Sequence, residues 1–204
     1  MIWLAAYGPD LLRGHLLARL RGRAVPLSVK AAAACADPSD PAADRAVFIP
    51  YALRFAGISK DHGGPAAALA GARDESAQTL ARLWLLKPPQ LLHLLRLDAA
   101  EPELALDLPA LAAAGGQELG GLRLLHLGER DGHPVLTWSP RTMEPVSPPG
   151  HPYLSVLVAG LIETYGLNMQ GVRTYLLKAP GIAGVWDGRP INDAYRSAEE
   201  LLAG

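Results

Sequence analysis

The sequence predicts an α+β fold: a small mixed β-sheet, closed or nearly closed into a barrel, with helices packed outside it. Three observations carry this. The elements run strand, helix, several strands, helix, hairpin, then helices, without the regular alternation of a doubly wound parallel sheet. Hydrophobic residues make up 50% of the 204-residue chain, enough for a sizeable core without metals or disulfides. An Asp-Gly pair, Asp131-Gly132, sits between two apolar runs, which is a strong hairpin signal.

The elements follow in order. Ile2 to Ala6 is a wholly apolar run and reads as a buried strand. Gly8 then permits a sharp turn, because it has no Cβ to clash. Leu11, Leu12, His15, Leu16, Arg19 and Leu20 repeat at helical spacing, with Gly22 as the stop. Asp10 has two readings. It is the N-cap of this helix, or it lines a pocket whose ligand is then cationic or neutral at that point. Strand, tight turn and helix N-terminus together suit an anionic group.

Residues 23–45 read as loop, and Ala46 to Phe55 as a strand that Pro50 confines to an edge or a bulge. Gly57 to Gly64 is a second loop, carrying Ser59, Lys60, Asp61, His62 and the pair Gly63-Gly64. Pro65 to Ala70 and Leu80 to Leu86 read as strands. Lys87-Pro88-Pro89 opens a helix, since proline suits a first turn whose N–H groups lack partners anyway. Leu91, Leu94, Leu95 and Asp98 share one face of it. An acid at a helix C-terminus opposes the macrodipole, so Asp98 either lies past the helix in water or serves another need.

A short helix opens at Asp107, the hairpin follows, and Ser139 to Gly150 is a proline-rich loop. Tyr153 to Tyr165 is an amphipathic helix ended by Gly166, and Asn168 caps another through Leu177. Asn192-Asp193 opens the last. The expected division is one domain over residues 1–180 and a C-terminal tail over 181–204 with a short helix.

The formal net charge is −1, which argues against bulk attraction to nucleic acid or an anionic membrane. Cys35 is the single cysteine, so no internal disulfide is available. No apolar run approaches the ~18–20 residues of a membrane helix, and no basic leader precedes a signal-like segment, so the expected location is cytoplasmic. The six histidines show no ligand pair at close spacing, and no nucleophile elbow, dinucleotide fingerprint or phosphate loop occurs. No metal and no cofactor are expected.

Several segments in order resemble the γ-glutamylcyclotransferase-like superfamily, and within it an actinobacterial branch often labelled histone deacetylase. Ala5-Ala6-Tyr7-Gly8-Pro9-Asp10-Leu11 resembles the family's AYGSN-M/L turn. Leu53 to Gly64 (LRFAGISKDHGG) resembles its L-x-F-A-x-x-S-x-x-W-G-G segment. Gln90 to Asp98 resembles the helix ending in the family's catalytic Glu, and Gly132 to Trp138 a G-H-P-V-L-T-F stretch. Tyr153-Leu154, Leu161 and Tyr175-Leu176 match its C-terminal helices, so the likeness spans about residues 2–180.

The resemblance implies a small mixed barrel with flanking helices and an intramolecular reaction. The α-amine of a γ-glutamyl group attacks its own γ-carbonyl, leaving 5-oxoproline. It implies Asp98 as the catalytic acid–base residue. It implies Tyr7, Gly8, Pro9, Asp10, Leu11, His62, Gly63 and Gly64 as the substrate-binding set, and a small amino-acid-derived substrate as the partner. The departures are specific. Pro9 replaces a Ser and removes one backbone donor. Asp10 replaces a neutral Asn. Asp98 replaces Glu and is one methylene shorter, and a register one residue earlier would put Leu97 there. His62 replaces a Trp and is a base, a ligand contact or a loop residue. The resulting expectation is a cyclotransferase-like enzyme with an altered site, or a silent binding protein on the same fold.

Overall fold

The computed structural model describes residues 1–31, 33–141 and 145–204. Its centre is strand β1 (Ile2–Ala6), which is buried along its whole length. The pleat sends Ile2, Leu4 and Ala6 into one apolar cluster and Trp3, Ala5 and Tyr7 into another. Two buried faces explain why this segment is continuously apolar rather than alternating. After β1 the chain forms a short 3-10 turn (Pro9–Leu11) and then helix α1 (Arg13–Leu20). Leu12 occupies the N-cap of α1, and no side chain caps either helix start. Asp10 is therefore not a helix cap, and the capping reading is corrected.

The remaining strands are β2 (Asp44–Ile49), β3 (Leu53–Ala56), β4 (Ala66–Leu69), β5 (Thr79–Leu86), β6 (Gly116–Leu119), β7 (Leu122–Arg130) and β8 (His133–Pro140). The long strand expected from Ala46 to Phe55 is two strands broken at Pro50, where proline cannot donate to the ladder. Six strands form one sheet in the order β2-β5-β1-β8-β7-β6, and β3 pairs with β4 apart from it. The sheet is mixed, since β1 runs parallel to β8 and antiparallel to β5. It is open, with β2 and β6 at its edges. The α+β class holds, and the closed barrel does not. The hairpin between β7 and β8 turns at Asp131 (φ 52°) and Gly132 (φ 73°), the positive-φ pair that an Asp-Gly turn supplies.

Helices cover both faces. One cluster takes Leu16 and Leu20 of α1, Leu91, Leu94 and Leu95 of α2 (Pro88–Ala99), and Leu111 of α3 (Leu108–Ala114). The other takes α4 (His151–Tyr165), α5 (Met169–Leu176) and α6 (Arg189–Ala203). Helix α6 buries Ile191, Ala194 and Ala198 in this core, so residues 181–204 include a packed helix.

Helix α4 lies against the turn after β1 because Gly160 lets it. A Cβ there would stand 2.5 Å from Leu11 Cβ and 2.7 Å from the Leu12 nitrogen. Gly160→Ala gains about 1 kcal/mol in helix propensity but overpacks this contact, which typically costs ~1–3 kcal/mol. The clash is with backbone, so the variant is predicted to melt several degrees lower, at about 2–4 °C per kcal/mol. An unchanged or raised Tm would show that the turn yields freely.

Candidate functional site

Parallel pairing of β1 with β8 brings the C-terminal ends of both central strands to the same end of the sheet. A cavity of about 300 Å³ lies there. Its wall includes Tyr7, Gly8, Pro9 and Asp10 from the turn after β1, Asp98 from α2, and Trp138 from β8. The loop carrying Ser59, Lys60 and Asp61 forms another side, and Tyr153 of α4 comes from beneath. Helix α2 continues through Ala99 and ends on Ala100 in the left-handed region, φ 59°. Asp98 therefore sits in the last helical turn, and its neighbour Leu97 does not line the cavity.

The centre of the site is Arg19. It is buried, and its guanidinium forms ion pairs with Asp10 on one side and Asp98 on the other. The other oxygen of Asp98, Oδ2, accepts from the Trp138 ring N–H at 2.7 Å. The second oxygen of Asp10, Oδ1, lies 2.7 Å from His15 Nδ1. Helical spacing places His15 and Arg19 four residues apart on one face, which is how both reach the turn below them. The Asp10 carbonyl accepts from the Trp84 ring N–H at 2.8 Å, fixing its backbone.

The two carboxylates share one guanidinium and shift in opposite directions. Burial pushes the Asp98 carboxyl above its ordinary range, and the Asp10 charge adds to this; Arg19 and the Trp138 hydrogen bond oppose it but do not win. Burial would also raise Asp10, but Arg19 and His15 together hold it down at about 2. Arg19 itself is held above its ordinary value, since Asp10 and Asp98 outweigh the burial that disfavours its charge. Burial raises the phenols of Tyr7 and Tyr153, keeping both neutral hydrogen-bonding groups. Tyr7 donates to the Trp138 carbonyl at 2.9 Å, and the Tyr153 oxygen accepts from the Ala67 N–H at 2.7 Å. Gly8 is needed for approach, because a Cβ would meet the Tyr153 hydroxyl at 3.3 Å.

Of the residues expected at the site, Tyr7, Gly8, Pro9, Asp10 and Asp98 line one cavity. Leu11 is fully buried behind the turn. His62 stands behind the wall, its Nε2 2.9 Å from the Pro26 carbonyl and its ring 5.7 Å from that of His15. Gly63 and Gly64, both at positive φ, close the tight loop in which Ser59 N–H donates to the Gly64 carbonyl at 2.8 Å. They shape the wall without lining it. Sequence reasoning missed His15, Arg19, Lys60, Asp61, Trp138 and Tyr153 as cavity residues. A signal existed for two of them: His15 and Arg19 are polar, yet fall at i and i+4 among the leucines of the first helix. Among the described residues, no cluster of His, Cys, Asp and Glu has the geometry to hold a metal, and no helix is long and apolar enough to cross a membrane.

An acid held below its ordinary value stabilises the fold above its unfolded pKa and loses that contribution as pH falls through the folded value. For Asp10 the window runs from about 4 down to about 2. Asp10→Asn is predicted to cost about 2 kcal/mol at pH 7, with the gap to wild type closing as pH falls to ~2. Asp98 has the opposite sign, its ionised form becoming a burden as pH rises. Urea unfolding across pH 2–7 reads both, and a pH-independent gap for Asp10→Asn would contradict the assigned pairing.

No protein-family model matches the chain, and no curated protein matches its sequence. Among solved structures, a γ-glutamyl cyclotransferase superposes with a TM-score of 0.52 at 15% identity, covering 96% of this chain and 98% of that one. The crystal structure of the uncharacterized protein loc79017 from Homo sapiens superposes with a TM-score of 0.50, also at 15% identity and covering 96% and 98%. Both alignments run over nearly the full length of each chain, so the open mixed sheet and its flanking helices are the γ-glutamyl cyclotransferase-like fold.

Proposed function

We propose that this protein is a γ-glutamylcyclotransferase-like enzyme. Its substrate is a γ-glutamyl or related amino-acid amide, which it cleaves by intramolecular amine attack to release 5-oxoproline or a similar lactam. One observation carries the reading: Asp98, an acid in the last turn of α2, lines the cavity beside the Tyr7–Asp10 turn and is shifted toward the protonated form. A carboxyl poised above its ordinary range is a better proton acceptor for an ammonium than an ordinary one. Ring closure is already unimolecular, so the enzyme has to fix a folded conformer, deprotonate the amine and stabilise an oxyanion. In this reading the turn from Tyr7 to Asp10 holds the substrate's charged end, while Leu11 supports it and His62, Gly63 and Gly64 set the facing loop.

A binding protein without turnover is the second reading. It is favoured by the fact that both oxygens of Asp98 already accept hydrogen bonds, one from Arg19 and one from Trp138. Two donors already on the carboxylate lower its appetite for a substrate proton and hold it against its own protein.

The deciding measurement is mass-spectrometric detection of 5-oxoproline from a panel of γ-glutamyl amines and dipeptides. The expected result is product with the wild type and at least a ~100-fold loss in Asp98→Asn, as for removal of a general base. That variant loses about one hydrogen bond's worth of stability, ~1 kcal/mol, and is expected to melt within a few degrees of wild type. Ligand-induced melting shifts with no product from any amide would select the binding reading.

A further inference from the structure

His15 is an imidazole that the reading above does not use. Only 2% of it is exposed. Its Nδ1 lies 2.7 Å from Asp10 Oδ1, and an ionised Asp10 can only accept, so Nδ1 carries its hydrogen. That leaves Nε2 as the ring atom free to exchange a proton. Nε2 is buried and has no hydrogen-bond partner among the described residues. It points at Asp61, whose Oδ2 is 3.7 Å away, just beyond hydrogen-bond reach. Asp61 in turn lines the cavity, with a third of its side chain exposed (33%). Its backbone is pinned there, since Ser28 Oγ donates to the Asp61 carbonyl at 2.8 Å and Lys30 Nζ to the Lys60 carbonyl at 3.0 Å. The ring of His62 stacks on His15 at 5.7 Å, and Arg19 of the same helix shares Asp10 with it.

A buried ring nitrogen left without a partner calls for an explanation. We propose that Asp10, His15 and Asp61 form a proton relay in which Asp61 is a second catalytic residue, the donor to the leaving nitrogen, and His15 a positioning and proton-storing residue behind it. The inference rests on the cyclotransferase reading and divides the work that a single carboxyl would otherwise do twice. Asp98 takes one proton from the substrate α-ammonium, and the freed electron pair forms the new C–N bond at the γ-carbonyl. As the tetrahedral intermediate collapses, the old C–N bond breaks with its electron pair on the departing nitrogen. That nitrogen takes a proton from the Asp61 carboxyl, which is refilled from His15 Nε2. His15 gives that proton from its doubly protonated form. The second proton shed by the lactam nitrogen and the second taken by the departing amine pass through water; Asp98 then yields its proton to water and His15 regains one, so protons balance and the enzyme is restored. With the backbone pinned, the 3.7 Å gap closes by a small rotation of the Asp61 side chain, in keeping with catalytic hydrogen bonds that tighten only in the complex.

The test is leaving-group dependence. A γ-glutamyl alkylamide expels a strongly basic amine and needs a donor, whereas a γ-glutamyl p-nitroanilide expels a weakly basic one. Asp61→Asn is expected to lower kcat/KM on the alkylamide ~100-fold or more, and on the anilide by no more than a few-fold. His15→Gln should follow the same pattern, and the double variant should be no worse than either single one, as for residues acting as a unit. Asp61→Glu should restore part of the alkylamide activity. Asp61 sits on an accessible loop, so its variants carry the test even if His15→Gln fails to fold. Equal losses on both substrates would overturn the relay and leave the cyclotransferase reading intact. No product from either substrate with the wild type would overturn both.

Discussion

A guanidinium taken out of water has to be met by negative charge at close range, and Arg19 is met twice. Removing a charge of that size from solvent costs several kcal/mol even after relaxation, and pairing with good geometry is what offsets it. Asp10 and Asp98 come from different parts of the chain, the turn after β1 and the last turn of α2, and Arg19 holds both to α1. Losing Arg19 would leave two acids facing each other across a cavity. The pair is unequal, and the inequality is useful. Asp10 has His15 as a second partner and stays ionised, while Asp98 has a neutral indole N–H and is pushed toward protonation. One guanidinium thus serves two carboxyls whose second partners set their protonation in opposite directions.

The fold supports this arrangement from the opposite side of the turn. Arg82 donates to Asp44 at 2.7 Å, to Glu163 at 2.6 Å and to the Leu11 carbonyl at 3.2 Å, while lying 4.1 Å over the Trp84 ring. Glu163 also accepts from the Arg13 N–H at 2.9 Å, at the start of α1. One arginine thus ties β2, β5 and α4 to the back of the turn, while the other ties α1 and α2 to its front. Gly160 and Gly8 let backbone and the Tyr153 hydroxyl close in to contact distance. The turn is gripped on both sides, and this is why a segment with no capping side chain holds one conformation.

The elements that could be read from sequence were those with a local cause. β1, the Asp131-Gly132 hairpin, the proline-initiated α2 and the Asn168 cap of α5 each depend on residues within a few positions of one another. The open sheet could not be read, because closure depends on whether β2 and β6 meet, which no local pattern encodes. The site divides in the same way. The turn and Asp98 stand out by motif and by an acid placed against a helix dipole. Arg19 and Asp61 do not. An arginine on a helix is ordinarily a solvated face, and only the separation of 79 residues between Arg19 and Asp98, closed by the fold, makes it a buried bridge. Trp138 was visible as the end of an apolar strand and of a motif-like stretch, with nothing local to say that its N–H meets Asp98.

Of the departures from the motif that the sequence resembles, those at positions 10 and 98 meet in the structure. An Asn-to-Asp change at position 10 on its own would add a buried negative charge beside a carboxylate. Here the charge of Asp10 draws in Arg19 and His15, and Arg19 then reaches Asp98. A carboxylate one methylene short of a Glu projects less far from its helix, and an arginine and an indole N–H are positioned to fix it where it ends. The acid at position 10 and the shorter acid at position 98 therefore belong to one hydrogen-bonded unit. Exchanging either alone would break the unit, since Asn at 10 would release Arg19 and Glu at 98 would crowd it.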